Sequence, residues 1–247
     1  PIAITGNGLR FATWSLSGRA PAAQQIRRGA VIRIVNTSSG WEIRQLPEVE
    51  SALVAIDPRT GAIKALIGGF DFAKNSFNRI TQAYRQPGSS FKPFIYSAAL
   101  EEGVMPNTLI SDSPLTLDAG VTGGRAWSPK NYDGSNGPPL TMRQGLTKSK
   151  NLVSVRILQT VGTQKTQDWA VRFGFPAERT PPYLTMALGA GTVTPMELAT
   201  GYAVFANGGH KINPYIIALI KDQRGNTITE VTPPALNEGM RTISPRN

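Results

Sequence analysis

The sequence predicts an α+β domain, with helices beside an antiparallel sheet, preceded by part of a small β-barrel. Three observations carry this. Residues 52–67 and 215–231 each read as two strands around a turn; the stretch between them is mainly helical in pattern; the first 45 residues alternate apolar and polar positions in short runs. At 247 residues the chain can bury a substantial core and form one to two domains. Hydrophobic residues make up 40% and charged residues 17%, with 25 glycines and 19 prolines, which fits an ordered core with many turns.

In chain order, residues 10–16, 30–35 and 41–46 read as half-buried strands, punctuated by Gly29 and by the turn cluster 36–40. Three strands cannot bury a core alone, so the rest of the barrel is expected upstream of Pro1. Residues 46–50 mark a boundary. Beyond it 52–56 reads as a buried strand, 57–61 as a turn and 62–67 as the returning strand, ended by Gly68 and Gly69. After a loop over 70–83, Pro87 and Gly88 make a turn into a helix that runs through Leu100 and stops at Gly103. Pro93 is tolerated because it falls in the first turn, where its missing N–H has no intrahelical acceptor.

Residues 106–140 are rich in Pro, Gly, Asp and Asn and read as one long loop. A short helix follows over 141–146 with Thr141 as N-cap, then helices over 152–158 and 163–173 closed by Gly162 and Gly174. The clearest helix start is Thr194, with Pro195 at the first helical position and Glu197 three residues after the cap. That helix is expected to reach Asn207 and to bury Leu198, Ala199, Tyr202, Phe205 and Ala206. Residues 215–220 and 227–231 close the chain as a hairpin around 223–226.

No cysteine is present, which excludes disulfides, thiolate nucleophiles and cysteine-ligated metal sites. No run of about 18 apolar residues occurs, so this segment does not itself span a membrane. The first residues, PIAITG, lack a start methionine and read as the interior of a larger protein, with a membrane anchor expected outside the segment. Formal net charge is +10, which favours an anionic partner. The 26 basic residues are scattered, however, and no aromatic and basic residues alternate as in a strand-binding groove, so nucleic acid is set aside as the main partner. Anionic lipid or an acidic polymer fits the charge equally well.

The stretch RQPGSSFKPF, residues 85–94, holds the candidate chemistry. Ser89 and Lys92 stand three apart at a helix start and therefore on one face. An amine that can lose its proton beside a hydroxyl activates a serine without histidine, and the chain has one histidine, His210. Taken alone, Ser89 is more simply a helix cap. Ser149, Lys150 and Asn151 are by the same standard a polar junction between helices, with Asn151 as a cap.

Together these motifs resemble the transpeptidase domain of class A penicillin-binding proteins, whose motif set includes Ser-x-x-Lys, Ser-Asp-Asn and Lys-Thr-Gly. Longer segments agree: RQPGSSFKPF with the nucleophile segment, WSPKNYDG (127–134) with the loop before the second motif, and LGAGTVTPMELA (188–199) and FANGG (205–209) with a later helix. The resemblance implies a penicillin-binding transpeptidase (β-lactamase-like) fold over 47–247, with helices packed on an antiparallel sheet. It makes residues 1–46 the end of an OB-like insert.

The resemblance also assigns roles. Ser89 attacks the carbonyl between two D-alanines of a peptidoglycan stem peptide, and β-lactams acylate the same oxygen. Lys92 is the base, for which a pKa of about 10.4 must fall through burial or a nearby cation. Lys150, or the lysine of a third motif, is a candidate for that cation. Ser149 relays a proton, Asn151 hydrogen-bonds the substrate amide, and the Ser89 N–H gives half of an oxyanion hole. The bifunctional relatives imply an attached glycosyltransferase, an inner-membrane anchor and a periplasmic site. No cofactor or metal is implied.

One departure stands out: Lys-Thr-Gly is absent. Lys165, Thr166 and Gln167 lie in a helical pattern and read as surface. In the family the true motif lies beyond a segment resembling RTISPRN (241–247), so the remainder of the domain is expected downstream or on a separate chain. His210 reads as an ordinary turn residue, and Asp112, Asp118 and Asp133 as solvated loop carboxylates. Trp127 and Tyr132 either line the substrate groove or pack the loop down. Two other readings compete, a non-catalytic β-lactam sensor of the same fold and a basic OB-type nucleic-acid binder.

Overall fold

The computed structural model describes residues 1–122, 124–233 and 235–247, which divide into two compact units, Pro1–Glu50 and Ser51–Asn247. The first unit holds a 3-10 helix, Gly6–Ala12, running into α1 (Thr13–Leu16), and one antiparallel hairpin, β1 (Arg33–Thr37) with β2 (Gly40–Arg44). Residues 10–16 are therefore helical, which corrects the expected strand. Burial here falls on Gly8 and Ala12, four apart, and Thr13 Oγ1 donates back to Leu9 O at 3.2 Å and Arg10 O at 3.0 Å. Gly8 is close-packed: a β-carbon there would collide with Trp41 O. A two-stranded hairpin and not a barrel is what the described residues of this unit contain.

In the second unit β3 (Leu53–Ile56) pairs with β4 (Ile63–Ile67) as an antiparallel hairpin whose turn is closed by Gly61 N to Asp57 O at 2.9 Å. Its first strand is half-exposed, not buried, because only alternate residues are covered. A short α2 (Arg79–Gln82) leads to the 3-10 turn Gly88–Phe91 and then α3 (Lys92–Glu101). Seven of the ten residues of α3 are buried, from Lys92 through Ala99, so it is the central helix of the unit. It packs on α6 (Asn151–Val161) and α7 (Thr163–Phe173).

The stretch expected to be one loop folds further. Leu109–Asp112 (β5) pairs antiparallel with Gly137–Thr141 (β6), and Ala119–Thr122 forms α4 between them. Pro138 and Pro139 hid this pairing, since proline inside a strand argues against one except at an edge. The α5 helix (Met142–Thr147) has the Thr141 cap in a full capping box with Gln144. The α8 helix (Pro195–Ala206) has the same device from Thr194 and Glu197. Its fully buried residues are Gly201, Ala203 and Val204; of the expected face Leu198 and Phe205 pack on the core, while Tyr202 and Ala206 are exposed, which corrects the expectation for those two. Gly201 sets this orientation: a β-carbon there would meet Phe175 Cζ at 2.8 Å and Phe94 Cζ at 3.1 Å.

Those rings belong to one cluster. Phe94 has centroids of Phe91, Phe173, Phe175, Tyr202 and Phe205 between 4.7 and 5.4 Å away, mostly edge to face. Such pairs contribute about 0.5–1.5 kcal/mol each beyond area burial, so the start of α3 is anchored two residues past Lys92. The last hairpin, β7 (Leu219–Lys221) with β8 (Thr227–Glu230), is shorter than expected because Tyr215 instead bridges in parallel to Ala62 beside β4. Among the described residues the strands thus form four two-stranded antiparallel ladders and no continuous sheet. No described helix is long and apolar enough to cross a membrane.

Candidate active site

Ser89 lies in the 3-10 turn and is exposed, while Lys92 begins α3 and is 1% exposed. Lys92 N donates to Ser89 O, closing the i to i+3 ring. With three residues per turn, side chains 89 and 92 come one above the other. The turn is held from several sides. Arg85 and Val193 exchange backbone hydrogen bonds at 3.0 and 2.9 Å, Gln86 Nε2 donates to Ala190 O at 3.3 Å, and Tyr202 Oη donates to Ser90 O at 2.7 Å. Gly189, at φ +71°, presses on the backbone of Gly88, where a β-carbon would collide with the carbonyl oxygen and lie 2.6 Å from the nitrogen.

Lys92 Nζ donates to Ser149 O at 2.7 Å, Ser149 Oγ at 3.0 Å and Asn151 Oδ1 at 2.7 Å. These bonds join the two motifs found in the sequence. They also use all three donors of an ammonium, and none goes to Ser89 among the described residues. Burial pushes the Lys92 pKa down to about 8. Asn151 Nδ2 donates to Lys130 O at 2.8 Å, which fixes the amide with its oxygen toward Lys92. Ser149 O and Asn151 Oδ1 can only accept. Once Nζ loses a proton its two remaining hydrogens stay on them, and the lone pair is left for a hydroxyl.

Ser149 is the one described non-glycine residue with positive φ, at +51°. Its N–H donates to Leu146 O and that of Lys150 to Gly145 O, each at 2.9 Å, which is the Schellman closure of α5 with serine in the left-handed position usually held by glycine. A left-handed serine costs about 1–2 kcal/mol, retained here because it brings O and Oγ of one residue to the same amine. Ser149→Gly is expected to raise stability in urea unfolding by about 1 kcal/mol. A variant no more stable than the wild-type protein would show that the left-handed position carries no strain.

Lys150, one of the two candidates for a cation near Lys92, is itself paired with carboxylates, and burial is the cause of the Lys92 shift. The Lys150 ammonium lies 3.1 Å from Asp133 Oδ2, 3.5 Å from Asp112 Oδ2 and 2.7 Å from Ser135 Oγ. Those partners hold the Lys150 pKa up, chiefly through Asp133, and hold that of Asp133 down to about 2, chiefly through Ser135. Asp112 is 1% exposed, which corrects its reading as solvated; Asp118 is exposed. Asn151 is the first residue of α6, not its cap.

Sequence reasoning missed Asn131, 5% exposed in the loop over 127–134. Its Oδ1 accepts from Asn151 N at 2.8 Å and Leu152 N at 3.2 Å, satisfying two amides at the start of α6. Its Nδ2 donates to Asp112 Oδ1 and Ser135 O, both at 2.8 Å. An asparagine before Tyr-Asp-Gly reads as a local turn former, and no spacing shows that its side chain reaches twenty residues on.

The remaining candidates lie elsewhere. Tyr132 is fully exposed at 102%. Trp127 packs on the core and lines a cavity of about 240 Å³ whose lining includes Arg125, Thr163 and Tyr183 but none of Ser89, Lys92, Ser149 and Asn151. Thr166 and Gln167 are buried, which corrects their reading as surface: Gln167 Nε2 donates to Ala177 O at 2.9 Å and Thr180 O at 3.0 Å. His210 is 9% exposed, with its N–H on Asn207 Oδ1 and its O accepting from Asn207 Nδ2. Among the described residues no group of three His, Asp or Glu side chains could hold a metal ion.

A buried amine bonded to Ser149 and Asn151 one 3-10 turn from an exposed serine is an arrangement suited to lysine-assisted serine acyl transfer. Residues 51–245 match the penicillin binding protein transpeptidase domain, and the chain belongs to that family. It is 44% identical over its whole length to penicillin-binding protein 1A of Neisseria flavescens, of which it covers 31%. It is 40% identical to penicillin-binding protein 1A of Pseudomonas aeruginosa, over 94% of the chain and 29% of that protein. The chain thus spans about a third of the length of the curated relatives it matches. The crystal structure of penicillin-binding protein 1A from Haemophilus influenzae superposes with a TM-score of 0.79 at 41% identity, over 83% of this chain and 30% of that one. The PonA1 protein of Mycobacterium tuberculosis in complex with penicillin V gives 0.65 at 27% identity, over 74% and 51%.

Proposed function

We propose that the protein containing this chain is a peptidoglycan D,D-transpeptidase that cross-links stem peptides through an acyl-Ser89 intermediate and is a target of β-lactams. One observation carries the reading: Lys92 Nζ is buried, pushed down to about 8, and bonded to both Ser149 and Asn151 one 3-10 turn from Ser89. Neutral Lys92 takes the Ser89 proton as Oγ bonds to the carbonyl carbon of the penultimate D-alanine. The Ser89 N–H, in a first turn without intrahelical acceptor, faces the developing oxyanion. The peptide bond to the last D-alanine then breaks, and its nitrogen takes a proton relayed through Ser149.

The amine of a neighbouring stem attacks the ester, forming the cross-link and restoring Ser89; water in its place gives carboxypeptidase activity. Residues 47–247 are read as the transpeptidase domain, and residues 1–46 as the end of an OB-like insert. In the whole protein a glycosyltransferase and an inner-membrane anchor would hold the site on the periplasmic side, as the match to Gram-negative relatives supports.

Incubation of the full-length protein with a labelled penicillin is expected to modify Ser89, with no label in Ser89→Ala. Label surviving that substitution would overturn the assignment. Cross-linking of a peptidoglycan substrate, lost in the same variant, separates an enzyme from a β-lactam sensor.

A further inference from the structure

We propose that Asn131 is a positioning residue of this site: oriented by Asp112, it fixes the start of α6 so that Asn151 and Ser149 meet Lys92. This rests on the transpeptidase reading. Among the described residues Asn131 hydrogen-bonds to neither Ser89 nor Lys92 and acts through its neighbours. Both hydrogens of its amide are committed, to Asp112 Oδ1 and Ser135 O, so its oxygen can only face the amides of Asn151 and Leu152. The next contact is Asn151 Oδ1, which accepts from Lys92 Nζ at 2.7 Å. A second link runs in parallel, from Lys130 O to Asn151 Nδ2.

Adjacent residues of one loop thus hold the main chain and the side chain of Asn151. Asp112 is suited to the orienting role. It is buried at the end of β5, paired with Lys150 at 3.5 Å, and presents to Asn131 a charged acceptor, which makes a hydrogen bond roughly twice as strong as a neutral one. Lys150 therefore serves the site through Asp112 and Asp133, closing the loop over the second motif, and not as a charge beside Lys92.

The test is acylation of the full-length protein by a fluorescent penicillin. Asn131→Ala is expected to lower the second-order rate by about 100-fold, the scale of a displacement of about 1 Å at a reacting group. Every molecule is still expected to label in the end, and the pH midpoint of acylation is expected to move, because one of three acceptors of Nζ loses its fixed place. A purely structural role would lower the thermal midpoint and the labelled fraction together, leaving the rate per competent molecule and the pH midpoint unchanged; that result overturns the proposal.

Asn131→Asp is the second variant. It keeps an acceptor over the α6 amides, which suits a helix N-terminus, but loses both donors and sets a carboxylate against Asp112. A slowing of about 10- to 100-fold with full labelling is expected, and a wild-type rate would sink the idea. A wild-type protein that never labels at Ser89 would overturn the transpeptidase reading as well, whereas normal wild-type acylation with unaffected variants overturns only the role of Asn131.

Discussion

Lys92→Met is expected to lower acylation of Ser89 by about 10²- to 10⁴-fold, the usual contribution of a positioned proton acceptor. Methionine nearly matches the length and bulk of the lysine stem among the buried residues of α3, so the variant should still fold. It does leave Ser149 O and Asn151 Oδ1 without their donor. The wild-type rate should climb with pH toward a midpoint near 8, since at pH 7 only about a tenth of the amines are neutral. The same group leaves a mark on stability. Lys92 titrates at about 8 when folded against 10.5 in the unfolded chain. Between these values the unfolded state binds more protons, so stability rises with pH across the window. At about 1.36 kcal/mol per unit the gain is about 3 kcal/mol. Urea unfolding of wild-type and Lys92→Met proteins at pH 7 and pH 10.5 isolates it as the change in their difference. A flat difference would mean an ordinary lysine, unfit as a base.

Gly189→Ala should damage both the fold and the site. Its β-carbon would collide with Gly88 O, and both partners are backbone, so no rotamer change relieves the contact. Both glycines have positive φ, at +71° and +56°, which adds a left-handed penalty for alanine at 189. Overpacking of this kind costs about 1–3 kcal/mol. The backbone that must yield carries Ser89, so a fall in acylation of about 100-fold is expected alongside a lowered urea midpoint. Normal acylation in a destabilised variant would mean that the collision is absorbed on the Gly189 side.

Much of this was legible in the sequence, for physical reasons that also explain the rest. The Thr194 and Thr141 caps, and the helices closed by Gly162 and Gly174, were readable because caps and breakers act over three or four residues. Ser89, Lys92, Ser149 and Asn151 came from short motifs, and the hydrogen bonds of Lys92 bring three of them together. The strand reading of residues 10–16 failed because Phe11, Trp14 and Leu16 are exposed apolar residues that imitate an alternating pattern. The β5 and β6 pairing, the burial of Asp112 and the reach of Asn131 were invisible because each depends on partners across a proline- and glycine-rich segment. The pairing of Lys150 was invisible for the same reason: a lysine beside the motif is adjacent in sequence, but its charge answers to two aspartates brought in by folding.

The asymmetric seat of Asn151 makes the site depend on an amide, and not a carboxylate, at that position. Its oxygen faces an ammonium and its nitrogen a carbonyl, so hydrolysis of that one amide to a carboxylate exchanges ammonia for water and sets a negative charge against Lys92. An anion at that distance favours the protonated amine and cancels what burial achieves. A protein with that one substitution would differ from the wild type by a single mass unit and hold its amine charged.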